Sequence, residues 1–273
     1  MFLILRHIRH YSPKWLNLFW INLGNIYRFF IKILNINFSV SHRISTFGPF
    51  KIHCFFAFSN FTKWGSEGGS IFSLMMSKCK NKKCIFDIGA HVGLMTLPIN
   101  SKVNSDTKIF CFEPSRINRK FLKFHLKKNK IINALIIKDL VGNKCLNRVN
   151  FFESKEPTGL NSIVNFKNNN FKIEKKNQIT LDDFVFKNNL KPDLIKIDVE
   201  GSEIFILQGA IKAIKKYKPD IFLSIHKKHF QILGLNENQL KKIIKKLNYK
   251  IINSNNKIVK EFTEKEYYLS PRI

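Results

Sequence analysis

From about residue 84 onward the hydrophobic positions alternate between short apolar runs and longer stretches of helical spacing. CIFDI (84–88) reads as a buried strand, followed by a glycine turn and a helix from about residue 92. KIFCFE (108–113) is a second strand, and in 115–128 the residues Ile117, Phe121, Leu122, Phe124 and Leu126 recur at helical spacing. ALIIKD (134–139) is a third strand and DLIKIDV (193–199) a fourth. A helix over 202–216 puts Ile204, Leu207, Ile211 and Ile214 on one face. DIFLSIH (220–226) is a fifth strand, a Lys-rich helix follows at 237–247, and YKIIN (249–253) and EYYLS (266–270) are strand-like. Strands alternating with helices predict an α/β fold, a mostly parallel sheet covered by helices on both faces. The Asn/Lys-rich stretch 165–178 reads as an inserted loop.

Ahead of this region, residues 15–36 (WLNLFWINLGNIYRFFIKILNI) are rich in Trp, Phe and Ile, but Asn17, Asn22, Asn25, Arg28, Lys32 and Asn35 interrupt them. A spanning helix needs roughly 20 predominantly apolar residues, so the stretch is expected to be an amphipathic helix. Two settings stay open for it, packing on the main domain or lying on an anionic membrane face. Met1-Phe2-Leu3-Ile4-Leu5 precedes the first charge at Arg6, the reverse of a secretory signal. A cytoplasmic chain is expected, with peripheral contact to the inner membrane face through residues 15–36 as an option.

Composition changes this picture little. The 273 residues carry 47 Lys+Arg against 19 Asp+Glu, a formal net charge of +28, which invites a nucleic-acid reading. Only eight of the 47 are Arg, the residue suited to bidentate phosphate recognition. The abundance of Lys, Asn, Ile and Phe is what AT-rich codons yield, so a solvated basic surface is preferred and no nucleic-acid partner is expected. The five cysteines have no CxxC pairing and no His cluster at zinc spacing, which suits reduced structural thiols.

The candidate chemistry gathers at strand ends, where open parallel sheets bind ligands. Asp87-Ile88-Gly89-Ala90-His91-Val92-Gly93 closes the first strand with GxxxG rather than the GxGxxG of dinucleotide sites. Asp87 would repel a pyrophosphate and suits a ligand with an ammonium group. Glu113 ends the second strand 20 residues past Gly93, where a carboxylate can accept both ribose hydroxyls. Together they favour a nucleoside without a phosphate tail, and S-adenosylmethionine fits.

Several ordered segments carry a resemblance: FDIGAHVGLMTLP (86–98), FEPSRIN (112–118), NSI (161–163), ITLDDF (179–184), LIKIDVEGSEIFILQGA (194–210) and KPDIFLSIH (218–226). From about Gly48 to the C-terminus the chain resembles the FkbM family of S-adenosylmethionine-dependent methyltransferases. The resemblance implies a Rossmann-like class I methyltransferase with a seven-stranded sheet whose last strand is antiparallel, matching 266–270. It divides the chain into a helical extension, 1–47, and a methyltransferase domain, 48–273. It implies a cofactor pocket lined by Asp87, Gly89, Ala90, His91, Gly93 and Glu113. Asp139, ending the third strand, either accepts from the adenine amino group or caps a turn. The chain departs from the usual GANxG at His91, and has Ser224 where many relatives have Glu.

Lys196, Asp198 and Glu200, spaced by two, project to one side of the fourth strand. Charges in a buried strand are costly unless paired or functional. Asp198 is expected to be catalytic, although an internal Lys196–Asp198 pair remains an alternative. Transfer to an alcohol needs a base, for which Asp198 and a neutral His226 are the candidates and His229 a weaker one. Glu200 and Asn161 are the expected acceptor contacts. Glu203 reads as a first-turn carboxylate favoured by the helix dipole, and no metal site is expected. The resemblance points to O-methylation of a sugar hydroxyl in a glycan, glycolipid or secondary metabolite. An RNA methyltransferase or a non-catalytic membrane-docked scaffold are the alternatives. Asp198-Val199-Glu200-Gly201 lacks the Asn/Asp-Pro-Pro-aromatic pattern of nucleic-acid amino-methylating enzymes.

Overall fold

A computed structural model describes residues 8–9, 11–65, 70–166, 170–263 and 265–272. The chain opens with helix α1 (Asn17–Ile33), then a hairpin of β1 (Ser39–Ile44) and β2 (Phe47–His53), and α2 (Phe72–Cys79). The alternating region follows as β3 (Cys84–Ile88), α3 (Thr96–Asn100), β4 (Lys108–Phe112), α4 (Arg116–Lys128) and β5 (Ala134–Ile137). A small sheet is built from β6 (Leu140–Val141), β7 (Leu146–Ser154) and β8 (Phe171–Ile179). The remainder is α5 (Leu181–Lys187), β9 (Leu194–Ile197), α6 (Glu203–Gln208), α7 (Ile211–Tyr217), β10 (Asp220–Ser224), α8 (Lys227–Ile232), α9 (Glu237–Leu247), β11 (Tyr249–Ile252) and β12 (Glu266–Pro271).

The main sheet has seven strands in the order β11-β12-β10-β9-β3-β4-β5. β10, β9, β3, β4 and β5 pair in parallel, and β12 runs antiparallel to both β10 and β11. This is the expected class I arrangement, with the reversed last strand where 266–270 predicted it. Successive residues point to opposite faces, which sorts the core into two layers. Phe86, Ile88, Ile195 and Ile197 pack with Leu181, Ile204, Ile214 and Leu240 on one side. Ile85, Ile109, Leu194 and Phe222 pack with Met75, Met76, Leu122 and Leu126 on the other. Asp87 and Lys196, register partners across β3 and β9, fall within the second layer.

Three expectations change. The stretch 165–178 is not simply a loop, because its second half pairs antiparallel with β7 as β8. Its residues from Lys172 to Lys175 are exposed, so the ribbon is held by its ladder and shows no apolar alternation. The helix expected over 202–216 breaks at Gly209 and Ala210. There a Cβ on Gly209 would lie 2.0 Å from the Gly142 carbonyl oxygen, so the chain closes on the small sheet at that point. The helix expected from 92 is delayed to Thr96 by the turn after β3.

At the N-terminus, α1 buries Trp20, Gly24 and Ile31 and docks Tyr27, whose hydroxyl donates to the Cys54 carbonyl at 3.0 Å. The β1–β2 hairpin crosses the boundary drawn at residue 48, pairing Ser39 with His53 and Val40 with Ile52. Its Ile44, Phe50 and Ile52 pack with Val92, Leu97 and Phe121, which couples it to the turn after β3.

Candidate active site

A cleft of about 950 Å³, part of it open to solvent, lies across the C-terminal ends of β3, β4 and β9. That is within the range of small-molecule sites, roughly 300–1,000 Å³. Gly89, Ala90, His91, Glu113, Asp139, Asn161, Asp198 and Glu200 lie on its wall. Gly89 has φ +79° and a Cβ there would meet the Asp198 carbonyl oxygen at 1.9 Å, so only glycine lets the two strand ends touch. His91 sits at φ +52°, a left-handed conformation that Asn and His tolerate better than most residues. Burial, with the Lys196 charge, holds its imidazole down at about 4, and its Nε2 is buried without a hydrogen-bond partner.

Glu113 accepts from the backbone N–H of His91 at 2.7 Å and of Ser115 at 2.9 Å. Burial pushes its carboxyl up to about 7 against those hydrogen bonds. Asn161 reaches the wall, but its Oδ1 accepts from Ser154 N and its Nδ2 donates to Thr158 O, so its polar atoms shape the loop.

Two expected pocket residues stand elsewhere. Asp87 is fully buried beneath the pocket, its Oδ2 accepting from Thr96 Oγ1 at 2.7 Å and its Oδ1 lying 3.3 Å from Lys196 Nζ. It follows the strand's alternation into the second core layer, so it holds the floor rather than a ligand. Gly93 (φ +93°) faces α4, where a Cβ would meet Leu122 Cδ1 at 2.8 Å, so its role is packing. Lys196 donates to the Gly89 carbonyl at 2.9 Å and lies 3.7 Å from Asp198 Oδ2. Burial opposes its charge, but Asp87 and Asp198 outweigh burial and hold it above its ordinary value.

A second cleft of about 800 Å³, also open to solvent, shares Trp64, Met95, Lys196 and Asp198 with the first. It continues past Phe222, Ser224 and Glu266 toward the ends of β10 and β12. Asp198 therefore stands in the wall common to both.

Beside Asp198, the turn after β9 carries consecutive left-handed residues, Glu200 (φ +56°) and Gly201 (φ +115°). A Cβ on Gly201 would lie 2.7 Å from His229 Cβ, so the turn presses against α8 and delivers Glu200 to the histidines. His226 Nε2 is 3.4 Å from Glu200 Oε1 and 3.7 Å from Asp198 Oδ1. Its Nδ1 pairs with Glu203 Oε1 at 2.6 Å. His229 stacks on His226, with centroids 5.4 Å apart, and its Nδ1 lies 3.2 Å from Glu200 Oε2.

These contacts correct the reading of His226 as a neutral base. Burial works against its proton, but the Glu203 hydrogen bond and the charges of Glu203, Asp198 and Glu200 push it up to about 9. At neutral pH it is an imidazolium. Burial and the neighbouring carboxylates, against His226, push Glu200 up to about 7. Glu203, read from sequence as a first-turn carboxylate favoured by the helix dipole, is fully buried and orients His226. The signal for it was its place in α6 beside Ile204, at four residues from Leu207 on the buried face. Asp198, Glu200 and His226 together offer ligand atoms all within 4.8 Å of one another, a metal-capable group that sequence spacing did not reveal.

The family model for the methyltransferase FkbM domain matches residues 87–255, more than half of the chain. The chain belongs to the FkbM methyltransferase family. Residues 87–255 thus form a methyltransferase domain of that family. Among solved structures it is similar to the methyltransferase FkbM of Methylobacillus flagellatus, at 19% identity and a TM-score of 0.43. That match covers 70% of this chain but spans only 44% of the other protein's length. It is also similar to a precorrin-6y C5,15-methyltransferase from Geobacter metallireducens, at 14% identity and a TM-score of 0.39, over 73% and 85% of the two chains. An rRNA methylase from Streptococcus thermophilus is similar at 8% identity and a TM-score of 0.39, over 74% and 94%. No curated protein sequence matches the chain at a significant level.

The first cleft fits the family's cofactor. His91, whose buried Nε2 lacks a hydrogen-bond partner, is among its lining residues, Glu113 offers carboxylate oxygens, and the Gly89 turn brings backbone to its edge. Among the described residues, no helix is long and apolar enough to cross a membrane.

Proposed function

We propose that this FkbM-family enzyme methylates a hydroxyl oxygen of a sugar in a glycan, glycolipid or secondary metabolite. The observation that carries the reading is the position of Asp198 in the wall shared by the two clefts, with Glu200 beside it. S-adenosylmethionine, bound in the first cleft, supplies an electrophilic methyl group. Glu113 and Asp139 hold its nucleoside end, and His91 offers Nε2 as a further polar contact. The second cleft takes the acceptor, where carboxylates accept hydrogen bonds from hydroxyls and Trp64 gives an apolar ring face.

An alcohol becomes nucleophilic as its proton leaves, so a base within hydrogen-bond reach is required. Asp198 takes this role, with its Oδ1 facing the His226 imidazolium and its Oδ2 facing Lys196. Both positive groups fix its direction. Alignment of acceptor oxygen and methyl carbon supplies much of the remaining rate.

An acidic rim of Asp198, Glu200 and Glu266 disfavours a phosphate-rich acceptor despite the +28 charge of the chain. The test is transfer of isotope-labelled methyl from S-adenosylmethionine to oligosaccharides and to RNA, in parallel. The sugar reading expects label in O-methyl sugars on mass spectrometry. Label confined to RNA, or retained with sugars under Asp198→Ala, would refute it.

A further inference from the structure

We infer that Asp198, Glu200 and His226 bind a divalent cation at the mouth of the acceptor cleft, with Glu203 as the residue that aims the histidine. His226 Nε2 stands 3.7 Å from Asp198 Oδ1 and 3.4 Å from Glu200 Oε1. A cation about 2.1 Å from nitrogen and oxygen donors separates neighbouring ligands by roughly 3 to 3.5 Å, close to these spacings. The second nitrogen of a metal-bound histidine is usually held by a carboxylate, and His226 Nδ1 meets Glu203 Oε1 at 2.6 Å. Glu203 is fully buried, its Oε1 also accepts from the Gly201 N–H at 3.1 Å, and its Oε2 lacks a hydrogen-bond partner, so a buried carboxylate ties the histidine to the turn that carries Glu200.

Charge argues in the same direction. Three carboxylates converge on one imidazole, while the nearby Lys196 is shared with Asp87 and the Gly89 carbonyl. Carboxylates and neutral imidazole together suit Mn2+, whose binding displaces the proton that His226 Nε2 carries in the metal-free protein. A cation held through Asp198 Oδ1 leaves Oδ2 for the acceptor's proton and open positions facing the cleft. The role toward a polyhydroxyl acceptor rests on the proposed function; cation binding itself does not.

The experiment therefore uses no acceptor. Purified full-length chain, treated with chelator, is titrated with Mn2+ alone, and the free-ion signal is followed by electron paramagnetic resonance. One Mn2+ per chain is expected, bound at sub-millimolar concentration, with nitrogen coupling from one imidazole in the pulsed spectrum. Glu203→Gln weakens binding about 10- to 100-fold, Glu200→Gln and Asp198→Asn remove it, and Asp106→Asn, at an exposed ion pair, changes nothing. No Mn2+ bound by wild type, no nitrogen coupling, or equal binding by folded Asp198→Asn overturns the inference.

A second inference rests on α1. We infer that its outer face lies on an anionic lipid bilayer. At 3.6 residues per turn, Leu18, Phe19, Ile26, Phe29, Phe30 and Ile33 fall opposite the docked face of Trp20, Gly24, Tyr27 and Ile31. Each of the six is at least half exposed. The first 66 residues hold eight Lys and Arg and not one Asp or Glu. A second copy with the same +28 charge would be repelled, whereas an anionic surface is attracted. The full chain should float with phosphatidylglycerol vesicles and much less with phosphatidylcholine, and Phe29→Ser/Phe30→Ser should lose flotation. Equal flotation of that variant, equal flotation with neutral vesicles, or self-association without vesicle binding overturns it.

Discussion

Gly89→Ala tests the contact on which the site's geometry depends. Its Cβ would stand 1.9 Å from the Asp198 carbonyl oxygen, whereas carbon–oxygen contacts of this kind lie at about 3.3 Å or more. The strand ends must separate by roughly 1.4 Å, and overpacking of that kind costs about 1–3 kcal/mol. The φ of +79° adds about 1–2 kcal/mol for a residue with a Cβ. A loss of about 2–5 kcal/mol follows, or roughly 5–15 °C in Tm for a chain of this size. Gly234→Ala separates the two causes, because Gly234 shares the left-handed φ (+69°) but has nothing within 4 Å of its Cβ. It should lose only the conformational part, about 1–2 kcal/mol. Urea unfolding gives both values, and calorimetry with S-adenosylmethionine shows whether Gly89→Ala also loses cofactor binding while Gly234→Ala keeps it. Equal destabilisation by the two variants would refute the close approach of the strand ends.

Glu113, pushed up to about 7 by burial, should make cofactor affinity rise between pH 6 and pH 8 as its carboxylate forms. Glu113→Gln should bind more weakly and flatten that slope in calorimetry. Because its folded value lies above the ordinary 4.5, the same group's stability contribution is full below about pH 4.5 and declines as pH rises through about 7. Its loss in Glu113→Gln is measurable by denaturant titration at the two ends of that window. Asp87→Asn removes the nearer of the two carboxylates that face the buried Lys196 and leaves it Asp198 and the Gly89 carbonyl, so the cost in urea unfolding should approach but not exceed the roughly 3–5 kcal/mol of a fully broken buried pair; a loss below about 1 kcal/mol would show that the pair is not coupled. Burial pushes Cys79 and Cys84 up to about 12, and Cys54 and Cys111 are buried too, while Cys145 is exposed. A thiol reagent should therefore modify one cysteine per native chain rapidly and the rest only on unfolding, with mass spectrometry placing the fast label on Cys145.

The sheet was legible because its strands are buried on both faces, which writes near-continuous apolar runs such as CIFDI and DIFLS into the sequence. β8 was not, because a ribbon exposed along Lys172–Lys175 needs only backbone pairing. Glu113 and the Gly89 turn were legible from spacing. Asp87 was misread because alternation alone does not say whether the last inward residue of a strand meets ligand or core. Glu203 and His226 lie 23 residues apart on separate elements, so only the fold brings them together. The consequence for His226 was legible even less, since its charge state depends on three carboxylates of the 198–203 stretch converging on it.

The central strand also ties the turn at the first cleft to the wall of the second. Lys196 is costly to bury, yet its Nζ reaches three groups at once, the Gly89 carbonyl, Asp87 and Asp198. The Gly89 carbonyl belongs to the turn that borders the first cleft, and Asp198 to the wall of both clefts. Asp87, bonded to Thr96, carries the same linkage into the helix beyond the turn. Pressing on the other side of Gly89 is the Asp198 carbonyl. The turn is thus fixed by a charged clasp from below and a backbone contact from the side. Through Lys196 the edge of the first cleft and the wall shared with the second are held by one set of contacts. A hydrophobic residue at 196 could fill the space but could hold neither Gly89 nor Asp198 in register, so the buried charge persists for geometry rather than for stability.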